Sequence, residues 1–367
     1  MATTTTAEER VFAEVQRLCY AGLDAPTLHR RALACLGRVV PFDSSCTHDA
    51  DPASGLMIRM YLDPPNEPAA RFFIEHVYFE DAINDFNWMI RARQPVARLS
   101  ETTGGQVERS LRYRAAIAPR GFHFDLRGVF AAGREHWGGL TLLRERGRRD
   151  FSAREGALIG RVGPHLAAGL KAAVLRAQAP LAVPGEGPGV LVLDARGRVV
   201  QYTASAERWL RELGELGPGW QEGDGLPGAV WLAVGALRHA LRSATERERA
   251  RPPRIATQAR TGRWLALQAA LAEGRDGRAA ETVIVLEPVG PRELTWLRTT
   301  AYDLSARERE VVELVMRGAS TRQIAATLSI AEYTVQAHLS HIFDKVGVRG
   351  RRALVQRLYL DSLYPAP

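Results

Sequence analysis

At 367 residues the chain is too long for one small core and has the length of two or three domains. It is 46% hydrophobic and 25% charged, the balance of a soluble globular protein, and no apolar run approaches the ~18 residues of a membrane span. The net charge of +8 and pI of about 9.8 permit a polyanionic partner, although an arginine-rich composition accounts for them equally well. Cys19, Cys35 and Cys46 form neither a Cys-x-x-Cys pair nor a zinc-ligand cluster, and the Thr-rich start is no signal peptide. Cys19 and Cys35 fall on apolar helix faces, so buried thiols there, in a reduced, cytoplasmic protein with no membrane contact, are expected.

Residues 1–7 read as a loose tail. Val11, Phe12, Val15, Leu18 and Cys19 then share one helical face. A second helix follows Pro26, with Leu28, Ala32, Leu33 and Leu36 inward and a stop at Gly37. Strands are expected over 44–48 and 56–62, around the acidic turn 49–55. That turn is faintly like a calcium loop, but Met60 stands where a bidentate Glu is needed, so a hairpin is favoured. Residues 68–88 are rich in aromatics, among them Phe72, Phe73, Tyr78, Phe79, Phe86 and Trp88, which suit core packing or a ligand wall. Three more strands are expected over 122–125, 129–132 and 140–144, broken at Gly128 and by a turn over 133–139. A long helix then runs to about residue 175, with Ser152 as its cap and Glu155 completing a capping box.

Helices, an antiparallel sheet and a closing Phe-Ser-x-x-Glu helix with Pro164-His165-Leu166-Ala167 resemble a GAF domain over residues 8–177. The resemblance implies a small-ligand pocket between sheet and helices. Phe86, Trp88, Phe122 and Phe124 are the candidate walls, with Asp85 and Asn87 as polar orienters; the ligand's chemistry is left open.

Residues 178–188 form a Pro/Gly linker with no phosphate-loop sequence. Beyond it, strands over 190–194 and 199–202 flank the turn 195–198. Helices through Ala206, Trp209, Leu210 and Leu213 and over 230–241 follow, and strands over 254–258, 264–270 and 282–286 close the unit. The order β-β-α-α-β-β-β, opening on Leu-Val-Leu-Asp-x-x-Gly-x-Val-Val, resembles a PAS domain over 189–290. That family often has Asn before its first helix, where Thr203-Ala204 stands here, and no Cys or His is placed to attach flavin or haem. The resemblance therefore implies a dimerisation or relay module without a cofactor.

In the last stretch Ser305 and Glu308 form a capping box, followed by inward Val311, Val312, Leu314 and Val315 and a stop at Gly318. Ser320 and Gln323 form another, opening a short helix with Ile324, Ala325 and Leu328. A third helix buries Val335, Leu339, Ile342 and Phe343, and a fourth runs from about Arg352 through Leu358. A short helix, a tight turn and a longer helix with a polar face are the parts of a helix-turn-helix. The runs Leu304-Ser305-Ala306-Arg307-Glu308-Arg309-Glu310-Val311, Gly318-Ala319-Ser320, Gln323-Ile324-Ala325, Thr334-Val335-Gln336-Ala337-His338 and Lys345-Val346-Gly347-Val348-Arg349 resemble the LuxR-type (GerE-type) DNA-binding domain.

That resemblance implies a major-groove helix in which Gln336, Ala337 and Ser340 read bases. Thr321, Arg322, Tyr333, Thr334 and Lys345 are then the phosphate contacts. Gln suits adenine N6 and N7, and an Ala methyl suits a thymine methyl. His338 is read as structural more than as a base reader. Two positions depart from the family: Ala331 replaces a Ser or Thr cap worth about 1 kcal/mol, and Gln336 replaces a Lys.

The fold class expected is thus multidomain: α+β sensor domains with antiparallel sheets, GAF-like over 1–177 and PAS-like over 189–290, then an all-α four-helix domain over 300–367. The implied function is a homodimeric, signal-controlled transcriptional regulator, with double-stranded DNA, RNA polymerase and an unknown small molecule as partners; activation is the commoner family outcome. No receiver domain, Walker motif, Gly-x-Ser-x-Gly elbow or His-Glu-x-x-His helix is present in the sequence, so no enzyme class has support. A protein-interaction adaptor and a catalytic or covalent sensor with the bundle as output stay open as other classes.

Overall fold

A computed structural model of the protein describes residues 6–52, 55–176, 187–214, 216, 220–222, 225–243, 254–272, 280–289, 302, 304–355 and 357–358. The chain divides into two units, one built mainly of residues 1–173, 185–261 and 265–288 and the other holding the C-terminal residues from 289. Most of the expected linker, residues 178–188, lies outside the described residues, as do residues 1–5 and 359–367 at the two ends.

The first unit opens with α1 (Ala7–Cys19) and α2 (Ala25–Leu36), started by the Thr6 and Asp24 side chains, which accept from the Glu9 and Thr27 amides. Their buried faces are the ones the spacing predicts, except that Phe12 stays partly exposed. Strands β1 (Ser44–Ala50), β2 (Met57–Asp63), β3 (Val96–Arg98), β4 (Phe122–Ala132) and β5 (Glu135–Glu145) form an antiparallel sheet in the order β2-β1-β5-β4-β3. Helices α3 (Glu67–His76), α4 (Phe86–Arg91) and α5 (Leu99–Thr102) lie between β2 and β4 in the chain, and α6 (Ala153–Arg176) follows β5.

The expected break at Gly128 does not occur, because β4 runs through it. A Cβ there would stand 2.5 Å from Cγ2 of Ile159, so this glycine admits α6 against the sheet instead of ending a strand. The expected turn over 133–139 is shorter as well: Gly138 and Gly139 lie inside β5, and a Cβ at Gly138 would stand 2.3 Å from the His48 carbonyl oxygen.

The same unit continues with β6 (Gly189–Leu193), β7 (Val199–Tyr202), α7 (Ala204–Leu213), α8 (Gly228–Ser243), β8 (Arg254–Gln258), β9 (Trp264–Ala272) and β10 (Glu281–Pro288). This is the expected sequence of elements, and Thr203 caps α7 by accepting from the Ala206 amide at 3.2 Å. The sheet order is β7-β6-β10-β9-β8. Counted from its own first strand, each sheet therefore has the order second, first, fifth, fourth, third.

One buried ion network pins the irregular chain between α3 and β4. Arg112, 1% exposed, donates through Nε to Asp125 at 2.9 Å and through Nη1 to Asp81 at 2.6 Å and the Ile83 carbonyl at 2.7 Å. Burial opposes its charge, but the two carboxylates outweigh burial and raise its pKa.

The second unit is a small bundle of α9 (Ala306–Met316), α10 (Thr321–Leu328), α11 (Glu332–Val346) and α12 (Arg351–Val355). Val311, Val312, Val315, Ile324, Val335, Leu339, Ile342, Val346, Leu354 and Leu358 form its core. Both capping boxes are made: Ser305 with Glu308, and Ser320 with Gln323. The Glu308 carboxylate accepts from the Ser305 amide at 2.7 Å and also from Lys345 Nζ at 2.7 Å, tying α9 to the end of α11. Burial pushes the Glu308 pKa up, but the bonds from Lys345 and Ser305 outweigh it and leave the group below its ordinary value.

Two outcomes follow from these networks. Arg112→Ala leaves two buried carboxylates facing each other, and we expect a loss of about 3–5 kcal/mol in urea denaturation of the first unit; a loss under about 1 kcal/mol would remove the network from the account. Because the Glu308 pKa is depressed in the fold, its stabilisation is complete above the ordinary value of 4.5 and is lost as pH falls below it. The acid-side loss in thermal melts of the bundle should therefore be smaller in Glu308→Gln, which starts less stable at neutral pH.

Candidate nucleic-acid interface

The interface is built from two helix starts and one outward face. Helix α10 ends at Ser329, whose φ of +53° reverses the chain, and α11 begins three residues later. On α11 the 3.6-residue period sends Val335, Leu339, Ile342 and Val346 inward. The same period leaves Tyr333, Gln336, Ala337 and Ser340 exposed, with Tyr333 80% accessible. The three expected base readers thus form one continuous outward patch. His338 is half-buried beside the core positions and is not part of it.

Thr321 and Arg322 begin α10, with Arg322 exposed. The Thr321 hydroxyl sits between two donors, Gln336 Nε2 at 3.4 Å and Arg351 Nη2 at 3.2 Å, while Arg351 Nη1 donates to the Ala319 carbonyl at 2.8 Å. Arg351 therefore brings a cation to the start of α10, next to the outward patch. Sequence reasoning missed it because the residue lies in the following helix; only the fold makes the two neighbours. Thr334 is half-buried in the first turn of α11, and Ala331 supplies no side-chain cap there.

Lys345 stands apart from the other expected phosphate contacts. It lies in the last turn of α11, and its ammonium is ion-paired with Glu308. In the free protein its first role is to hold helices together.

The four expected ligand-wall residues do not come together. Phe86 is 5% exposed in a cluster with Met89, Ala97 and Val129, whereas Trp88 is 42% exposed. Phe122 packs on a different cluster, around Leu99, Tyr113 and Ile117. Phe124 pairs with Arg144 while Val129 pairs with Gly139, so Phe124 is five residues along β4 from the Phe86 cluster. At ~3.3 Å per residue that is roughly 17 Å.

Phe86 also has polar neighbours. The Arg127 guanidinium lies 4.6 Å from its ring centre and donates to the Asn84 carbonyl at 2.9 Å; His48 packs edge-on at 4.5 Å between ring centres. His48 and His136 approach at 3.4 Å between their Nε2 atoms. Burial pushes the Arg127 pKa down to about 10 and that of His136 down to about 4. Arg127 Nε and both polar atoms of the Asn84 side chain are buried without hydrogen-bond partners. Asn84 also has a φ of +55°. Nothing in the linear sequence marks these residues, because a strand arginine is ordinarily a surface residue.

Among the described residues no helix is long and apolar enough to cross a membrane. Residues 302–358 match the family described as bacterial regulatory proteins, luxR family. Over 61 residues the chain is 44% identical to the spore germination protein GerE of Bacillus subtilis, a stretch that is 16% of this chain and 82% of that protein. It is 46% identical over 59 residues to the monoamine regulon transcriptional regulator of Klebsiella aerogenes, but spans only 26% of that protein and uses 16% of this chain. A solved complex of Vibrio cholerae VqmA with ligand and DNA is 15% identical, with coverage of 47% of this chain and 80% of that one. Its TM-score of 0.23 is too low to carry any of its properties over. The helix-turn-helix geometry, the family match over residues 302–358 and the 44% identity across 82% of GerE together place this chain in the luxR family of bacterial regulatory proteins, as a DNA-binding transcriptional regulator.

Proposed function

We propose that the protein binds specific double-stranded DNA as a homodimer, with α11 in the major groove, and that a signal received in the first unit controls this binding. The observation that carries the reading is the outward patch of Gln336, Ala337 and Ser340. It lies beside the starts of α10 and α11, where backbone amides and Thr321, Arg322, Tyr333 and Thr334 can meet phosphates. Gln336 and Ala337 then read bases, and Ser340 extends the reading surface by one turn. Arg351 joins the phosphate set; Lys345 joins it only by giving up Glu308.

A single small bundle with one free face and few cations binds weakly, so two copies on two half-sites are needed for specificity. The protein acts in the cytoplasm, recruits RNA polymerase as an activator and has no catalytic role. The signal is a small molecule taken up beside His48 around Arg127 and Asn84, whose buried unmet groups call for a polar occupant.

Fragments selected from genomic DNA should bind the full chain with an affinity that falls linearly in log–log form with salt. Absence of any salt-dependent, sequence-selective binding would instead support a protein-interaction adaptor. Gln336→Lys should bind all sequences more tightly, steepen the salt slope by about 1, and change the preferred base at one position per half-site. An unchanged base preference would remove Gln336 from the reading face. Arg322→Ala should weaken binding uniformly across sequences and lower the slope by about 1.

A further inference from the structure

The two modules of the first unit meet at their sheet edges. Strand β2 is the outer strand of one sheet and β8 the outer strand of the other. Thr257 Oγ1 on β8 donates to the Ile58 carbonyl on β2 at 2.9 Å, and Arg59 on β2 donates to the Gln258 carbonyl. Above this seam α3 packs on α8. Gly235 eases the approach, since a Cβ there would stand 3.3 Å from the Ile74 carbonyl oxygen of α3 and 2.8 Å from the Phe79 ring that follows it.

Beside the seam is a cleft of about 790 Å³, walled by β2, α3, the residues leading into α8, and β8. That volume falls in the range of ~300–1,000 Å³ usual for small-molecule sites. Its apolar surface comes from residues such as Ile58, Leu62, Ile74 and Leu226. The polar groups are unequal in sign: Arg59 and Arg71 face a single carboxylate, Glu75. Arg71 is held over the Trp231 ring at 4.1 Å and is paired with Glu75 at 3.4 Å. Trp231 also lines the cleft and is 1% exposed, and its Nε1 is a buried donor without an acceptor. The far edge of that indole packs on the hairpin glycine Gly197, where a Cβ would meet Cη2 at 3.0 Å.

We infer that this junction cleft binds a small amphipathic anion, a molecule with an apolar body and a carboxylate-type head. The head takes the place near Arg71 and Trp231 Nε1, because the unmet group is a donor and the net charge of the lining is positive. The apolar body lies along the aliphatic wall shared by both modules. Such an occupant touches β2 and α3 of one module and α8 and β8 of the other. It therefore favours whichever mutual setting of the two it fits best. The site is separate from the cluster around Arg127, and its occupancy is read without reference to DNA.

The test uses the full-length protein and the fluorescent anion 1-anilinonaphthalene-8-sulfonate, displaced by decanoate or decanol. Saturable binding of one probe per chain is expected, with decanoate displacing it at about tenfold lower concentration than decanol. Arg71→Gln should remove that advantage of the acid over the alcohol, and Ala229→Trp, which fills the cleft, should abolish saturable binding. Unsaturable fluorescence, unchanged binding in Ala229→Trp with an unaltered melting temperature, or equal displacement by acid and alcohol would each overturn the inference. If Ala229→Trp does not fold, the acid-against-alcohol ratio in Arg71→Gln decides.

Discussion

A glutamate bonded on two sides sets the frame of both units. Glu308 completes the start of α9 through the Ser305 amide and, with the same carboxylate, holds Lys345 at the far end of α11. Glu155 does the same at the start of α6, accepting from the Ser152 amide at 2.7 Å while pairing with Arg144 of β5. In each case burial works against the charge, and the bonds it makes keep it ionised. The two helices share the run Asp-x-Ser-Ala-Arg-Glu in otherwise different folds. The local start signal thus doubles as a tertiary tie: it fixes where the helix begins and which distant element it must lie beside.

The consequence for the reader bundle is geometric. In the proposed docking, the outward patch of α11 is useful only if the helix is held at a fixed angle to α10. The hydrophobic contacts of Val335, Leu339 and Ile342 resist separation but leave some freedom to slide. The Lys345–Glu308 pair at one end and the Gln336–Thr321–Arg351 cluster at the other anchor both ends of the helix. In the first unit the seam between β2 and β8 has the same quality. Side chains, not a continuous ladder, join the two sheets, so each keeps its own twist while the edges stay covered.

Local signals were legible in the sequence wherever the cause was local. The capping boxes, the buried stripes of α1, α2 and α9–α11, and the seven elements of the second module follow from side chains within a turn or two of each other. The bundle's outward patch was equally legible, since placing Val335 and Leu339 inward forces Gln336, Ala337 and Ser340 outward. The failures share a different cause. Gly128 reads as a strand breaker in one dimension and is a helix seat in three. Phe86, Phe122 and Phe124 look alike in sequence but are separated along the sheet. Arg127, Asn84 and Arg351 carry their meaning through neighbours tens of residues away. Buried charge is invisible to composition and periodicity, which treat every arginine as solvated.

The bare start of α11 has a meaning of its own. Ala331 offers the first turn no oxygen, whereas Ser305 and Ser320 each complete their helix within the chain. Of these three starts, that of α11 is the one with no side-chain cap. In the docking proposed above, a phosphate seated there would supply the acceptor that the alanine lacks, and the duplex would become part of the helix's own hydrogen-bond ladder. In that docking, stability on the order of 1 kcal/mol that the isolated fold lacks would be supplied by the bound DNA.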